Sequence, residues 1–295
     1  MFVTSEKLDR RELLKLRQRA IAERQIFITD AAKPGAATWS DVSTVFNRFE
    51  AIVKEGVNDI VSRYRRSFLG PLWSMVGTIV FVAGFMILGR FLFKITDNTY
   101  VVYVTCGVVF WTFIFSTLAE GAGMYTNPAT ASTGFHLSFA EIPIRMMIRN
   151  LIVLLLNAPI VFGVSLFFVR WDNWTSLLFI PGLILVVSVL IPVAIVLGVF
   201  GARLRDLPPA VASLLQFGFY LSPVFWLAES IPQGAPHLIL DLNPFYHMLQ
   251  VVRKPFLNEI APLEHYLILL GLSLGGWTIA VIVFARFRRR IIYWA

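Results

Sequence analysis

Long apolar stretches alternate with short polar ones along the chain, and this pattern predicts helices that cross a membrane. A helix needs about 20 apolar residues to cross about 30 Å of hydrocarbon. Six stretches of about this length occur, at 72–93, 100–119, 151–169, 177–201, 210–228 and 267–285. All but the first lack any charged residue. We therefore expect an all-α integral membrane protein with six transmembrane helices.

The composition agrees with a membrane protein and argues against a soluble one. Hydrophobic residues make up 57% of the chain and charged residues 15%, whereas soluble domains average roughly 45–50% and 25%. The net charge of +8 comes from Lys and Arg that flank apolar stretches. Because no polar domain carries this charge, membrane topology explains it better than nucleic-acid binding does.

Orientation follows from the basic residues, since loops rich in Lys and Arg stay in the cytoplasm. With both termini inside, 21 of the 26 Lys and Arg residues lie on the cytoplasmic side. An even number of spans agrees with this arrangement. The N-terminus is charged from its first residues, so we also expect no cleaved signal peptide.

The chain divides into three predicted regions. Residues 1–49 form a charge-dense helical pattern and a linker, AAKPGAAT, which we interpret as a cytoplasmic extension that is either solvated or docked on a partner. Residues 50–71 form an amphipathic interface helix, with an apolar face consisting of Val53, Val57, Ile60, Tyr64 and Phe68. Residues 72–295 form the six-span domain.

The loop between the fifth and sixth spans is unusually apolar. Residues 229–266 combine short hydrophobic pieces with Pro232, Pro236, Pro244 and Pro255. Such pieces are too short to span the bilayer, so we expect short re-entrant or interfacial helices here. A plain surface loop is the alternative.

Several kinds of chemistry lack a sequence signature. No GxxxxGK[ST] motif is present, so the chain has no phosphate-binding loop of its own. The four histidines show no metal-ligand spacing, and no Asp, Glu or His lies in the middle of a span, where ion-coupled transporters place such residues. The lone Cys106 forms no intrachain disulfide. We therefore predict a protein that is not an enzyme, with no metal and no cofactor.

The spans are instead rich in aromatic residues, which can stack on sugar rings. The candidates for channel aromatics are Phe110, Trp111, Tyr220, Phe225 and Trp226. Lipid-facing packing or an interfacial belt is the alternative for each of them.

Two segments resemble a known family. SRYRRSFLGPLWSMV at 62–76 and NPFYHMLQVVRKPFL at 243–257 are similar to motifs in the permease subunits of bacterial polysaccharide-exporting ATP-binding-cassette transporters. The resemblance covers roughly residues 50–295. It implies a Wzm-like homodimer in the bacterial cytoplasmic (inner) membrane, with two copies of a separate ATPase subunit that holds ATP and Mg²⁺, and a lipid-linked glycan as substrate.

The resemblance also implies three groups of site residues. An interface helix would present its charges to membrane lipid and to the pyrophosphate of the substrate lipid, which gives Arg63, Tyr64, Arg65 and Arg66. A coupling helix at 138–150 would contact the ATPase, which gives Glu141, Arg145 and Arg149, although these charges can also simply hold a loop at the headgroups. Gate helices between the fifth and sixth spans give Asp241, Asn243 and Pro244.

Three alternative functions remain. A drug or phospholipid exporter would share this architecture. A membrane glycosyltransferase would need clustered carboxylates, which Asp206, Glu229 and Asp241 do not form in sequence. A structural anchor would have no transport role. The identity of the glycan, whether O-antigen, capsule or teichoic acid, is not encoded in any of these patterns.

Overall fold

The computed structural model describes residues 45–65, 67–91, 94–95, 97–126, 140–169, 174–228 and 235–294. The predicted extension at 1–49 lies almost wholly outside the described residues, as does Arg66. Within these ranges all regular structure is helical. The α-helices are α1 (Phe49–Arg63), α2 (Trp73–Phe91), α3 (Thr99–Gly123), α4 (Glu141–Phe168), α5 (Phe179–Arg203), α6 (Leu207–Leu221), α7 (Ala235–Asp241), α8 (Pro244–Arg253) and α9 (Leu263–Trp294).

Five of these helices are long and apolar enough to cross a membrane. They are α2, α3, α4, α5 and α9, with α2 and α5 extended at their starts by short 3₁₀ turns. Each coincides with one of the predicted apolar stretches. The all-α membrane class is therefore confirmed, with five long spans in the described part of the chain.

The predicted fifth span, 210–228, is helical only as far as Leu221. Helix α6 begins at Leu207, where Pro208 and Pro209 suit a first helical turn, and has 15 residues. At 1.5 Å per residue it is about 22 Å long, short of the hydrocarbon thickness. Ser222 is extended because the residue before a proline disfavours the helical region. The apolar stretch continues beyond this point without a helix.

Helix α3 is the central helix of the bundle. Most of its residues are buried, whereas fewer than half are buried in each of the other long helices that the structure describes. It contacts α2, α4, α5, α6 and α8. Because α3 is surrounded by protein, its polar Thr105 and Thr117 donate hydrogen bonds to carbonyls of its own preceding turn. The neighbouring helices present their remaining apolar surface outward, where a bilayer would solvate it.

Small residues allow α3 and α5 to approach closely. A Cβ added at Gly201 would overlap the carbonyl oxygen of Ala122, and one at Gly121 would lie 2.7 Å from Ala194 Cβ. Membrane helices associate through this kind of close packing, since lipid offers no hydrophobic force between them. Elsewhere, Thr78 Oγ1 donates to Asn157 Oδ1 at 2.8 Å and joins α2 to α4.

The amphipathic helix α1 ends at Arg63, earlier than the predicted 50–71. Its protein-facing stripe is Ile52, Gly56 and Ile60, which packs on α4. Only Ile60 of the predicted apolar face is buried, and Phe68 is almost fully exposed. The charged side of α1 pairs with α4, which turns a narrow stripe of small and apolar residues inward. That Val57 and Phe68 face a bilayer stays a prediction.

We predict that Gly201→Val destabilises the bundle. The added side chain overlaps the α3 backbone, and overpacking of a core typically costs about 1–3 kcal/mol. The measurement is the thermal unfolding midpoint of the purified protein in detergent. Gly163→Val is the matched control, because a Cβ at Gly163 meets nothing within 4 Å. Equal midpoints for the two variants would contradict the packing described here.

Candidate functional site

A network of ion pairs joins α1 to the N-terminal end of α4. Arg145 lies at its centre: Nη1 donates to Glu55 Oε2 at 2.9 Å, while Nε and Nη2 form a two-pronged pair with the carboxylate of Asp59. The Arg145 side chain is only 8% exposed. Paired forks of this kind are strong and fix direction as well as distance. Helix α1 is thus held to α4 in one register.

The network continues to α3. Arg149 Nη1 donates to Asp59 Oδ2 at 3.3 Å, and its Nη2 donates to Glu120 Oε2 at 2.6 Å. Arg63, at the end of α1, reaches Glu120 from the other side at 3.4 Å. Basic and acidic groups alternate along this path. We call these six residues, Glu55, Asp59, Arg63, Glu120, Arg145 and Arg149, the charge network.

A cavity of about 550 Å³ lies beside the charge network. Its wall comes from α1, α3 and α4 and includes Asp59, Arg63, Glu120, Arg145 and Arg149. Apolar side chains, such as Ile142 and Met146, complete it. The cavity therefore has a wall of mixed charged and apolar side chains. It lies where α1, α3 and α4 meet, beside the C-terminal end of α3.

The predicted coupling residues are found in this junction and point inward. Glu141 is 1% exposed and receives Arg48 Nη1 at 3.1 Å, and Arg145 and Arg149 pair as described above. A contact with another subunit would need other groups on the outer surface of this segment. In this structure the three residues form ion pairs that join α1 and the residue before it to α4.

Sequence reasoning missed the acidic half of the network. Glu55 and Asp59 are four residues apart, and so are Arg145 and Arg149. Residues at this spacing share one face of a helix. Two matching rows of opposite charge were therefore visible in the sequence, but nothing in it showed that the two helices are neighbours.

The predicted interface residues lie at the end of α1. Arg63 and Arg65 are exposed, and Tyr64 is half-buried in the turn that follows the helix. Arg66 lies outside the described residues. Arg65 is thus open to solvent, and Arg63 is half-exposed while it pairs with Glu120. Arg145 and Arg149 are enclosed by their carboxylate partners.

The predicted channel aromatics separate into two groups. Phe110 and Trp111 are buried in the core, where Phe110 packs against Phe179 and Trp111 against Phe219 and Phe245. Buried rings offer no face to a passing substrate, so here they act as packing residues. By contrast, Tyr220 is exposed, and Phe225 and Trp226 are half-buried.

The predicted gate region contains two short helices, α7 and α8. Asn243 caps α8 by accepting a hydrogen bond from the Phe245 amide at 2.9 Å, and Pro244 occupies the first helical position. The Asn243 side chain also donates to Ser222 Oγ at 3.0 Å, which joins α8 to the end of α6. With ten residues α8 is too short to span a bilayer, yet it is almost entirely buried in protein.

A histidine pair closes the same region. His247 Nε2 lies 2.8 Å from the backbone carbonyl of Asp241, and His247 Nδ1 lies 2.6 Å from His265 Nδ1. Because a carbonyl only accepts, neutral His247 carries its proton on Nε2, and His265 must donate to its Nδ1. The spacing of the two histidines along the chain did not indicate this contact. Among the described residues, no group of three His, Cys, Asp or Glu could hold a metal ion.

Comparison with known proteins places the chain near one group of transport proteins. No protein-family model matches it. An O-antigen export system permease protein RfbA of Myxococcus xanthus is 21% identical over 205 residues, 69% of this chain and 79% of the relative. Two proteins of the same name from Klebsiella pneumoniae are 22% and 20% identical and cover 75% and 82% of this chain and 85% and 92% of their own lengths.

These relatives confirm the resemblance predicted from the two motifs. The chain is similar along most of its length to permease proteins of O-antigen export systems. The membrane helices described above agree with a transmembrane transport protein of this kind.

We predict that Arg145→Gln loosens the junction between α1 and α4. The change leaves Glu55 and Asp59 without their main partner, and removing one side of an enclosed ion pair costs several kcal/mol. Because these carboxylates are a quarter to a third exposed, we expect about 2 kcal/mol. The thermal midpoint in detergent measures this loss. Lys54→Gln, which removes an exposed pair with Glu50, should leave it unchanged.

Proposed function

We propose that this chain is the channel-forming subunit of an ATP-binding-cassette exporter that moves a lipid-linked polysaccharide across the cytoplasmic membrane. The observation that carries the proposal is the similarity, over most of the chain, to three proteins named as O-antigen export permeases. The sequence has no phosphate-binding loop. Energy for transport would therefore come from a separate ATPase subunit.

In this proposal six segments cross the bilayer, with both termini in the cytoplasm. The fifth crossing consists of α6 and the non-helical stretch after it, since the two together have the required length. Two copies of the chain would meet along α2 and α6. These helices expose large apolar and aromatic side chains, among them Phe81, Phe217 and Tyr220. Exposed rings along the seam would let sugar faces slide without tight binding.

The charge network supports a mechanical link in this mechanism. Most of the coupling segment, 138–150, is the start of α4, and its Arg145 and Arg149 are bonded to α1. A push from the ATPase on the coupling segment would move α1 together with α4. Helix α1 would then carry its exposed arginines, Arg63 and Arg65, toward the lipid pyrophosphate.

The test is ATPase stimulation. The chain would be purified with its ATPase subunit, placed in lipid nanodiscs and given lipid-linked glycan or small amphiphiles. Stimulation by lipid-linked glycan supports the proposal. Stimulation by small amphiphiles alone would identify a drug or phospholipid exporter. Glycosyl transfer without any stimulation would identify a membrane enzyme.

We predict that the triple variant Arg63→Gln, Arg65→Gln, Arg66→Gln loses glycan-stimulated ATPase activity and export. A charged hydrogen bond contributes about 1.5–3 kcal/mol, so losing even one should weaken apparent substrate affinity about tenfold or more. Assembly with the ATPase subunit should persist, as measured by co-purification.

The matched control is the triple variant Lys54→Gln, Arg205→Gln, Arg286→Gln. It removes the same charge from exposed positions on the same predicted side of the membrane. This variant should keep wild-type export. Equal export by both triple variants would remove the proposed role of the arginines at the end of α1.

A further inference from the structure

The fifth membrane segment changes at Ser222 from a helix to an irregular backbone. Residues 222–228 follow α6, and Ser222, Pro223, Val224 and Ala228 are buried. A non-helical backbone at this depth leaves carbonyl groups without their usual intrahelical partners. Such groups must be satisfied by the protein, because lipid cannot do so.

Two tyrosines of α3 supply donors to this segment. Tyr100 Oη donates to the Phe225 carbonyl at 2.6 Å. Tyr103 Oη lies within reach of two acceptors, the carbonyls of Pro223 at 3.1 Å and of Trp226 at 2.9 Å. One turn further along α3, a Cβ at Gly107 would overlap the Val224 carbonyl. Helix α3 therefore supplies two hydroxyl donors to the irregular segment and a glycine where its backbone approaches most closely.

Arg253, the last residue of α8, completes the enclosure. Its Nη1 donates to the Pro223 carbonyl at 2.7 Å, and its guanidinium lies 3.6 Å from the centre of the Tyr103 ring. The side chain is fully buried, and Nε and Nη2 have no hydrogen-bond partner. Within the described ranges Arg253 forms no ion pair, unlike Arg145 and Arg149. A buried cation held only by a ring face and a carbonyl is costly.

We propose that Arg253 is a positioning residue that, with Tyr103, clasps residues 222–228 and fixes the path of the fifth membrane segment. The guanidinium joins three elements at one point: α8, the Tyr103 ring of α3, and the Pro223 carbonyl at the break after α6. A planar cation is suited to this place because it stacks on a ring and donates in its plane at the same time. Lysine has no planar group that could stack on the ring in this way.

The inference rests on the proposed function, in which α6 and residues 222–228 form the fifth crossing of the bilayer. If α6 lines the seam between two subunits, then the clasp sets the position of the outer part of that seam. Loss of the clasp would let residues 222–228 move away from α3 and would uncouple substrate from ATPase activity. The clasp itself can be tested without substrate or partner.

Cys106 provides the reporter for this test. It is the sole cysteine of the chain, is fully buried, and precedes the glycine that receives the Val224 carbonyl. Labelling by a membrane-permeant maleimide, followed by intact mass measurement in nanodiscs, therefore reports separation of residues 222–228 from α3.

We predict slow labelling of the wild type and at least tenfold faster labelling of Arg253→Gln. Tyr103→Phe, which keeps the ring and removes the hydroxyl, should show a smaller increase. Arg253→Lys should fall between wild type and Arg253→Gln, since it retains the charge but not the fork. Lys254→Gln is the matched control: it removes the neighbouring charge, whose partner is Glu259, and should label like the wild type.

The outcomes separate a clasp from general instability. Faster labelling with an unchanged thermal midpoint, graded from lysine to glutamine, supports the proposal. Labelling of Arg253→Gln at the wild-type rate overturns it. If Arg253→Gln fails to fold, the labelling rates of Tyr103→Phe and Arg253→Lys test the proposal instead. Labelling of both variants at the wild-type rate overturns it.

A second readout tests the consequence for transport. In the complex with the ATPase subunit, Arg253→Lys should keep basal ATPase activity and lose at least half of the stimulation by lipid-linked glycan. If lipid-linked glycan stimulates the ATPase activity of Arg253→Lys fully, although Cys106 is labelled faster, the clasp does not affect transport. Absence of stimulation in the wild type would instead refute the proposed function and leave the labelling result standing.

Discussion

Polar groups that leave water must find partners inside the protein, and this constraint shapes each part of the chain that departs from a plain apolar helix. Helices α2 and α9 satisfy this constraint without other partners on their outer surfaces. Their backbone groups are hydrogen-bonded within the helix, and their outward side chains are largely apolar. Elsewhere the chain needs specific donors and acceptors. The charge network, the Thr78–Asn157 hydrogen bond and the enclosure of residues 222–228 are three solutions to the same problem.

Helix α3 takes part in two of these solutions. Glu120, near one end, accepts from Arg149 and Arg63, and Tyr103, near the other end, donates to the broken fifth segment. Seventeen residues of helix separate them, or about 25 Å. Because α3 is surrounded by protein on most sides, it is the stiff element against which both α1 and residues 222–228 are positioned. A displacement of α1 can therefore be measured against the same helix that contacts residues 222–228.

The apolar pattern was sufficient to predict the long helices, because a span of about 20 residues without charge has few alternatives in a membrane protein. It could not predict the end of α6 at Leu221, since the stretch 210–228 has no charged residue and stays largely apolar on both sides of this point. Pro223 was the one available signal, and it was outweighed by hydropathy. The apolar pattern also could not show which side of α1 packs on α4, since that depends on the pairing of Glu55 and Asp59 with Arg145.

The sites were harder to predict than the helices because they depend on pairing between distant segments. Arg145, Arg149, Asn243 and Pro244 were singled out by the resemblance, but their partners lie far away in sequence. Phe110 and Trp111 were chosen as aromatic residues that could meet sugars. Helix α3 is the one long helix enclosed by protein, and neither composition nor hydropathy distinguishes it from a lipid-facing helix. Burial within a membrane bundle is a property of the packing and not of the single helix.

The buried arginines of this protein illustrate two ways to keep a cation out of water. Arg145 has carboxylate partners on α1, so its charge is neutralised and the pair is directional. Arg253 is fully buried with a ring and a carbonyl in place of a counter-ion. Replacing a buried charge by apolar groups is often neutral or stabilising. A gain in stability therefore does not explain why position 253 is an arginine. A single backbone path for residues 222–228 does explain it, because the planar guanidinium can stack on the Tyr103 ring and donate to the Pro223 carbonyl.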